Sequence, residues 1–347
     1  MSANTSIEWT DRTWNPVTGC TKVSPGCAHC YAEGVAARFW GTQYPPVEYT
    51  YHDPTICSQV RDLRPREFTD LQCHEDRLLA PLSWRKPQMV FVNSMSDLFH
   101  EDVPDKFIDR VFAVMALAGR HTFQVLTKRP QRMRDYLLTL TGSVERMDDL
   151  EYAAVELGDS TCAAGACEDR GWPLPNVWLG VSVENQQFAD DRIPLLLQTP
   201  AAVRFISAEP LLGPVTLKPR WLCCPECKGS GTHDCQNDPL VAVGEPGPCP
   251  WPDHLDWVIV GGESGPSARP MDLAWARSLV QQCQAAGVPV FVKQFGARPY
   301  VDQEMEAGQY REAIDLPGYE LVLKDRKGGD MAEWPVDLRV RESGPGI

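Results

Sequence analysis

Apolar strands alternate with amphipathic helices along most of this chain, and that rhythm limits its possible folds more than any other feature. Residues 88–93, Gln-Met-Val-Phe-Val-Asn, read as a buried strand. Asp102 and Pro104 follow, then Phe107, Ile108, Val111, Phe112 and Met115, the spacing of a helix with one apolar face that closes at Gly119. The same reading places strands at 122–127, 177–183, 203–207, 257–260 and 288–292, and helices at 31–39, 131–140, 187–198 and 272–286. Apolar strands separated by helices predict a parallel sheet covered by helices. The expected fold class is therefore α/β, a full or partial (β/α) barrel, with a flat doubly wound sheet as the alternative.

The chain has 347 residues, 43% hydrophobic and 23% charged, enough for one barrel-sized domain with insertions. The barrel domain is expected over 1–296. Two stretches break its rhythm: 141–176, acidic and polar, and 214–255, rich in Cys, Pro and Gly. Residues 297–347 read as an extension packed on the barrel. No apolar run of about 18 residues appears, so no membrane span is expected. The N-terminal residues lack the basic stretch and apolar core of a secretory signal, and the expected location is the cytoplasm. The net charge of −14 opposes broad, non-specific attraction to nucleic acid but leaves room for a local basic groove.

Thirteen cysteines in such a chain fit metal binding better than a disulfide framework, because several stand in close pairs. Cys20, Cys27 and Cys30 form C-x6-C-x2-C, followed by Tyr31. Iron–sulfur cubanes usually take four cysteines. Three leave one iron open to chelate a small molecule, and S-adenosylmethionine is the known occupant of such a vacancy. Gly19 and Gly26 permit tight turns around the thiolates. A structural zinc site completed by His29 or a distant residue is the competing reading.

In parallel α/β folds the active site lies at the carboxyl ends of the strands. Here those ends read Ser94-Met-Ser-Asp97, Thr127-Lys128-Arg129, Ser182-Val-Glu184-Asn185, Ser207-Ala-Glu209, Gly261-Gly-Glu263 and Lys293-Gln294. Strand ends meet solvent in any protein. This set, however, abuts buried runs and carries both signs of charge. Cations at Lys128 and Arg129 facing carboxylates at Asp97, Glu184 and Glu209 suit the zwitterionic methionine moiety of S-adenosylmethionine, and Glu184 or Glu209 could accept from ribose hydroxyls. Lys128, Glu209 and Lys293 are the candidate catalytic residues; Ser94, Asp97, Ser182, Glu184 and Glu209 are the candidate cofactor contacts.

A second metal signal is Cys224-Pro-Glu-Cys227-Lys-Gly-Ser-Gly, a knuckle with Cys235 and Cys249 as partners and His233 or His254 as substitutes. Four such ligands would make a structural zinc site, or an auxiliary iron–sulfur site. Cys283 reads as core, and Cys57 and Cys73 as buried free thiols. His100 and His121 read as hydrogen-bonded structural residues. Trp9 and Trp14 with Arg61, Arg64 and Arg66 would stack on and neutralise a nucleotide, or else fill the core and the surface.

The blocks Ile7-Glu-Trp-Thr-Asp, Phe91-Val-Asn-Ser-Met-Ser-Asp-Leu-Phe-His100, Trp178-Leu-Gly-Val-Ser-Val-Glu-Asn185, Asp256-Trp-Val-Ile-Val-Gly-Gly-Glu-Ser264 and Val290-Phe-Val-Lys-Gln294 resemble a phage-associated, radical-SAM-like three-cysteine family of unassigned function. Its cysteine loop is similar to that of spore photoproduct lyase, a radical enzyme acting on thymine in DNA. The resemblance spans most of the chain outside the two insertions. It implies a barrel of radical-SAM type, a [4Fe-4S] cluster on Cys20, Cys27 and Cys30, and reductive cleavage of S-adenosylmethionine to a 5′-deoxyadenosyl radical. A nucleic-acid base or modified nucleotide is the implied substrate, with an electron donor such as flavodoxin or ferredoxin and residence in the host cytoplasm. The chain departs from the usual radical-SAM pattern in two places. The first gap is x6 instead of x3, and Gly261-Gly262-Glu263 stands near the end instead of after the second strand, where Asp97 is the candidate amine contact. A non-catalytic, zinc-stabilised nucleic-acid-binding or adaptor protein is the alternative function.

Overall fold

Seven strands pair into one sheet in strict chain order. They are β1 (Arg12–Trp14), β2 (Met89–Val92), β3 (Thr122–Thr127), β4 (Val177–Ser182), β5 (Val203–Ala208), β6 (Trp257–Gly261) and β7 (Val290–Gln294), and every pairing is parallel. The structure is a computed structural model and describes residues 5, 7–53, 58–157, 172–222, 232–233, 247–248, 254–301, 310–312 and 318–345.

Strand order decides between the two expected architectures. A doubly wound sheet reverses its order at a switch point. This one never reverses, so right-handed crossovers carry every connection across the same face. The longer helices among the described residues are α1 (Tyr31–Gln43), α2 (Asp105–Leu117), α3 (Pro130–Gly142), α4 (Val144–Leu157), α5 (Gln186–Leu197) and α6 (Leu273–Ala286), with α4 packed on α2 and α3. Among the described residues the other face has no helical cover, and it buries itself by curling. The result is a partial (β/α) barrel, open between β1 and β7.

Side-chain alternation along the strands sorts the core into two layers. Val90, Val92, Phe123, Val125, Leu179, Val181, Ile206, Val258, Val260, Val290 and Val292 pack with the helices in one cluster. The intervening positions Trp178, Phe205, Trp257, Ile259 and Phe291 join Trp9 and the partly buried Phe91 in a second, aromatic cluster on the concave face. Gly180 leaves room for it, since a Cβ there would lie 2.6 Å from the Phe205 ring. The C-terminal residues seal the open edge. Val292 N donates to Val340 O, Glu342 N donates to Val290 O, and Gly344 packs where a Cβ would lie 2.5 Å from the Trp178 ring.

All the strands and helices read from the periodicity are present, with ends shifted by a few residues. The three-residue β1 and the hairpin Val47–Asp53/Ser58–Arg64 were not expected. Within 141–176, helix α4 packs Leu150, Ala153 and Ala154 inward. Its apolar positions Met147, Leu150, Ala154 and Leu157 keep a helical period that acidic neighbours hide. Cys224, Cys227, Cys235 and Cys249 lie outside the described residues, as do Cys57, Cys162 and Cys167. Cys283 is fully buried, and burial raises its thiol pKa to about 12. No helix among the described residues is long and apolar enough to cross a membrane.

Of the two readings of the N-terminal Trp and Arg residues, core tryptophans with surface arginine is the one found, Arg61 keeping a side-chain exposure of 79%. Trp9 and Trp14 are buried. Arg66 is buried with its guanidinium 4.1 Å from the Trp40 ring centroid and 4.5 Å from that of Tyr44, while Arg64 is held by Asp70 at 2.6 Å. An aromatic–arginine sandwich closed on itself offers no face to a base.

Three buried histidines give the fold an acid-sensitive window. His74 bonds Thr18 Oγ1 at 2.7 Å, His100 bonds Thr21 Oγ1 at 2.8 Å, and His121 bonds Pro81 O at 3.1 Å. Burial is the main force lowering all three pKa values, that of His74 to about 4. A histidine depressed on folding binds its proton more readily when unfolded. Its stabilising contribution is therefore full above the ordinary value of about 6.5 and is lost as pH falls towards the folded value. Unfolding free energies from urea titration should drop between pH 6.5 and 4.5, by up to about 1.4 kcal/mol per pH unit for His74, with His100 and His121 acting in the same direction. His74→Gln should flatten the slope; a level profile across that window would contradict it.

Candidate active site

The alternation that buries the aromatic rings at the base of the concave face brings polar residues to the same face above them. Leu126 is followed two residues on by Lys128, Gly180 by Ser182, Phe205 and Ser207 by Glu209, and Phe291 by Lys293. Lys128 Nζ donates to Ser182 Oγ at 3.0 Å and lies 3.8 Å from Glu184 Oε1. Lys293 Nζ donates to Glu209 Oε1 at 2.7 Å, and Gln294 Nε2 reaches the same oxygen at 3.4 Å. Gly261 makes room for that carboxylate, since a Cβ would lie 3.2 Å from Glu209 Cδ. Lys128, Glu209 and Lys293 keep side-chain exposures of 22%, 19% and 15%, so a ligand can reach them.

The cysteine loop lies across this rim and is tied to three strand ends. After β3, Arg129 donates to Cys20 Sγ at 3.5 Å and to Thr21 Oγ1 at 2.8 Å. After β4, Glu184 Oε1 accepts from Ser24 Oγ at 2.7 Å while Arg192 Nη1 holds Oε2 at 3.1 Å. After β6, Glu263 binds His29 Nδ1 at 3.1 Å and Arg269 Nη2 at 2.6 Å, and Arg269 Nη1 donates to Pro25 O at 2.8 Å. Burial would raise the Glu263 carboxyl, but the bonds from Arg269 and His29 outweigh it and hold the pKa below the usual range.

The loop glycines have different reasons to be glycine. Gly19 has φ of 97°, and a Cβ there would lie 2.7 Å from Asp70 O. Gly26 has no unusual backbone; it is needed because a Cβ would collide with the Glu184 carboxylate, 2.6 Å from its Cγ.

Asp97 sits at a turn made by Asn93, whose φ of 61° is a left-handed conformation that asparagine tolerates. Its four hydrogen bonds all come from the protein: Phe99 N at 3.0 Å, Thr127 Oγ1 at 2.7 Å, Lys128 N at 2.9 Å and Arg129 Nη1 at 3.4 Å. A buried carboxylate so fully engaged anchors Arg129 and leaves no lone pair for a ligand amine. Ser94 donates to Asn15 Oδ1 at 3.2 Å. Tyr31, the first residue of α1, is 71% exposed beside Cys30.

Cys20, Cys27 and Cys30 are all partly buried free thiols. Cys27 lies near enough for its charge to raise the Cys20 thiol, and Lys22 feels both Cys27 and Cys30. Burial, then Asp97, raises the Cys20 thiol to about 11 against the lowering effect of Arg129. Among the described residues, no three His, Cys, Asp or Glu side chains converge on one position for a single metal ion. A cubane asks for a different arrangement, one thiolate on each of several irons. Three thiols on one short loop, flanked by Lys22 and Arg129, are a donor set that suits it.

Arg192, Arg269 and Ser24 were missed from the sequence. Arg192 had a legible signal, a charge on the apolar face of α5 beside Ala189, Ile193 and Leu196. Arg269 and Ser24 had none, because their partners Glu263 and Glu184 are distant in the chain.

The family model described as "Protein of unknown function (DUF5131)" matches residues 4–321. No curated protein matches the chain. Among solved structures, a mutant of spore photoproduct lyase is similar over 93% of this chain and 72% of that one, with 9% identity and a TM-score of 0.36, too slight a likeness to transfer any residue's role.

Proposed function

The chain belongs to the DUF5131 family, whose function is unknown, and from that premise we propose that it is a radical S-adenosylmethionine enzyme acting on a nucleic-acid base or modified nucleotide. The observation that carries this reading is the three-cysteine loop, tied to the carboxyl ends of β3, β4 and β6 over a concave face lined with both signs of charge. Cys20, Cys27 and Cys30 would hold a [4Fe-4S] cluster, which would supply the one-electron chemistry that splits S-adenosylmethionine into methionine and a hydrogen-abstracting 5′-deoxyadenosyl radical, with a flavodoxin or ferredoxin as the electron donor.

The chain's own residues do the holding. Lys128, supported by Ser182, offers an ammonium to the methionine carboxylate. Glu209, paired with Lys293, offers carboxylate oxygens to the amine or the ribose hydroxyls. Glu184 and Glu263 fix the loop through Ser24 and His29, and are themselves held by Arg192 and Arg269. The aromatic base of the half-barrel keeps water from reaching a reactive species from below.

Anaerobic reconstitution with iron and sulfide tests the reading. The protein should turn brown, absorb broadly near about 400 nm, and form 5′-deoxyadenosine from S-adenosylmethionine under reduction. Colourless protein holding only zinc would favour a non-catalytic adaptor and end the radical reading.

A further inference from the structure

A cleft of about 450 Å3 opens beside the cysteine loop, lined by Pro25, Asn185, Leu212, Arg269, Trp275 and Tyr300 among others. Its size is that of a small-molecule site. Trp275 and Tyr300 are half-buried, with ring centroids 6.3 Å apart and planes at 84°, so they form an aromatic corner. Arg269 is fixed by three bonds to Glu263 and one to Pro25 O. Asn185 caps α5, its Oδ1 accepting from Phe188 N at 3.2 Å, which leaves its NH2 group as a donor for a ligand.

We propose that this cleft is a nucleobase subsite, in which one unpaired purine or pyrimidine packs in the Trp275–Tyr300 corner with its polar edge facing Asn185 and Arg269. An aromatic surface with an amide and a guanidinium is the chemistry by which unpaired bases are held. Charge narrows the ligand further. A chain of net charge −14 has little to offer a long phosphate backbone, so affinity has to come from stacking on one base. Pro25 and Arg269 belong both to the cleft and to the tie on the loop, which sets a base bound there next to Cys27. The assignment gives the substrate of the proposed radical enzyme a place, and in that sense rests on that reading. Binding itself needs no cluster, so the two fail separately.

Binding is measured on the full chain, with and without iron, using dTMP, dAMP, a short single-stranded oligonucleotide, and ribose 5-phosphate as the base-less probe. Mononucleotides should bind in both states, and ribose 5-phosphate should not. Trp275→Ala and Tyr300→Leu should each weaken nucleotide binding about tenfold, with an unchanged melting temperature as the check on folding. Trp275→Phe, which keeps a ring, should recover most of the loss. Affinity for the oligonucleotide no greater than for the mononucleotides supports a single-base subsite, and much tighter strand binding would overturn it by showing that the backbone, not one base, is held. Absence of nucleotide binding, unchanged affinity in both corner variants, or ribose 5-phosphate binding as well as dTMP overturns it.

Discussion

Gly26→Val should leave the half-barrel folded and empty the cysteine loop of iron. The new side chain would have to occupy the space of the Glu184 carboxylate. That carboxylate cannot swing away: its side chain is fully buried, Arg192 holds one oxygen and Ser24 the other. The loop must therefore lift from the rim, taking Cys27 with it. The loop contributes no fully buried apolar side chain, and Pro25–Cys27 has no buried residue at all, so the melting temperature should fall by only a few degrees. Iron content after reconstitution should drop several-fold. Gly34→Ala is the matched control on α1, where a Cβ meets nothing within 4 Å. It should keep its iron and gain about 0.5–1 kcal/mol from replacing a helical glycine. Full iron loading in Gly26→Val would mean that contact with Glu184 does not position the thiols.

The contrast between those two glycines marks how much the sequence could tell. Both stand near the cysteines, and the letters place Gly26 in a turn and Gly34 in a helix without showing what either one touches. What separates them is Glu184, 158 positions from Gly26 along the chain. The half-barrel was legible because its signal is local. Val90 and Val92, or Leu179 and Val181, announce a strand within a few residues, and α2 and α6 show their apolar faces within two turns. Winding direction was not legible, since it depends on how strands pair, and only the unreversed order settled it against a doubly wound sheet. At the rim, the sequence named the residue types but not their assignments. Asp97 and Glu209 look alike in the sequence, each an acid just past an apolar strand. One is consumed by four internal donors, while the other faces the open concavity in a pair with Lys293. The N-terminal Trp and Arg residues were ambiguous for the same reason. Packed on the chain's own rings, as Arg66 is on Trp40 and Tyr44, they belong to the core, and stacked on a base they form a site; composition is identical in the two cases.

Cys27→Ala should abolish reductive cleavage of S-adenosylmethionine, with no 5′-deoxyadenosine above background and most of the brown colour lost. Removing one thiolate from three leaves two anchors for a cluster that already lacks a fourth. Cys27 also sits between the other two in the loop, with Ser24 Oγ at 3.7 Å and Cys20 within electrostatic reach. Cys73→Ala provides the comparison. It is a free, half-buried thiol outside the loop, and its alanine variant should keep both colour and cleavage. Lys293→Met separates binding from cluster assembly. It removes the ammonium that holds Glu209 at 2.7 Å but touches no part of the loop, so iron should stay while the KM for S-adenosylmethionine rises about tenfold or more, the usual cost of losing a charged hydrogen bond. This pattern, colour and turnover lost together at Cys27 but parted at Lys293, distinguishes a loop that carries the redox centre from a concave face that carries its ligand. Retained cleavage in Cys27→Ala would remove the cluster from this loop, and with it the reason for the loop's three ties to the rim.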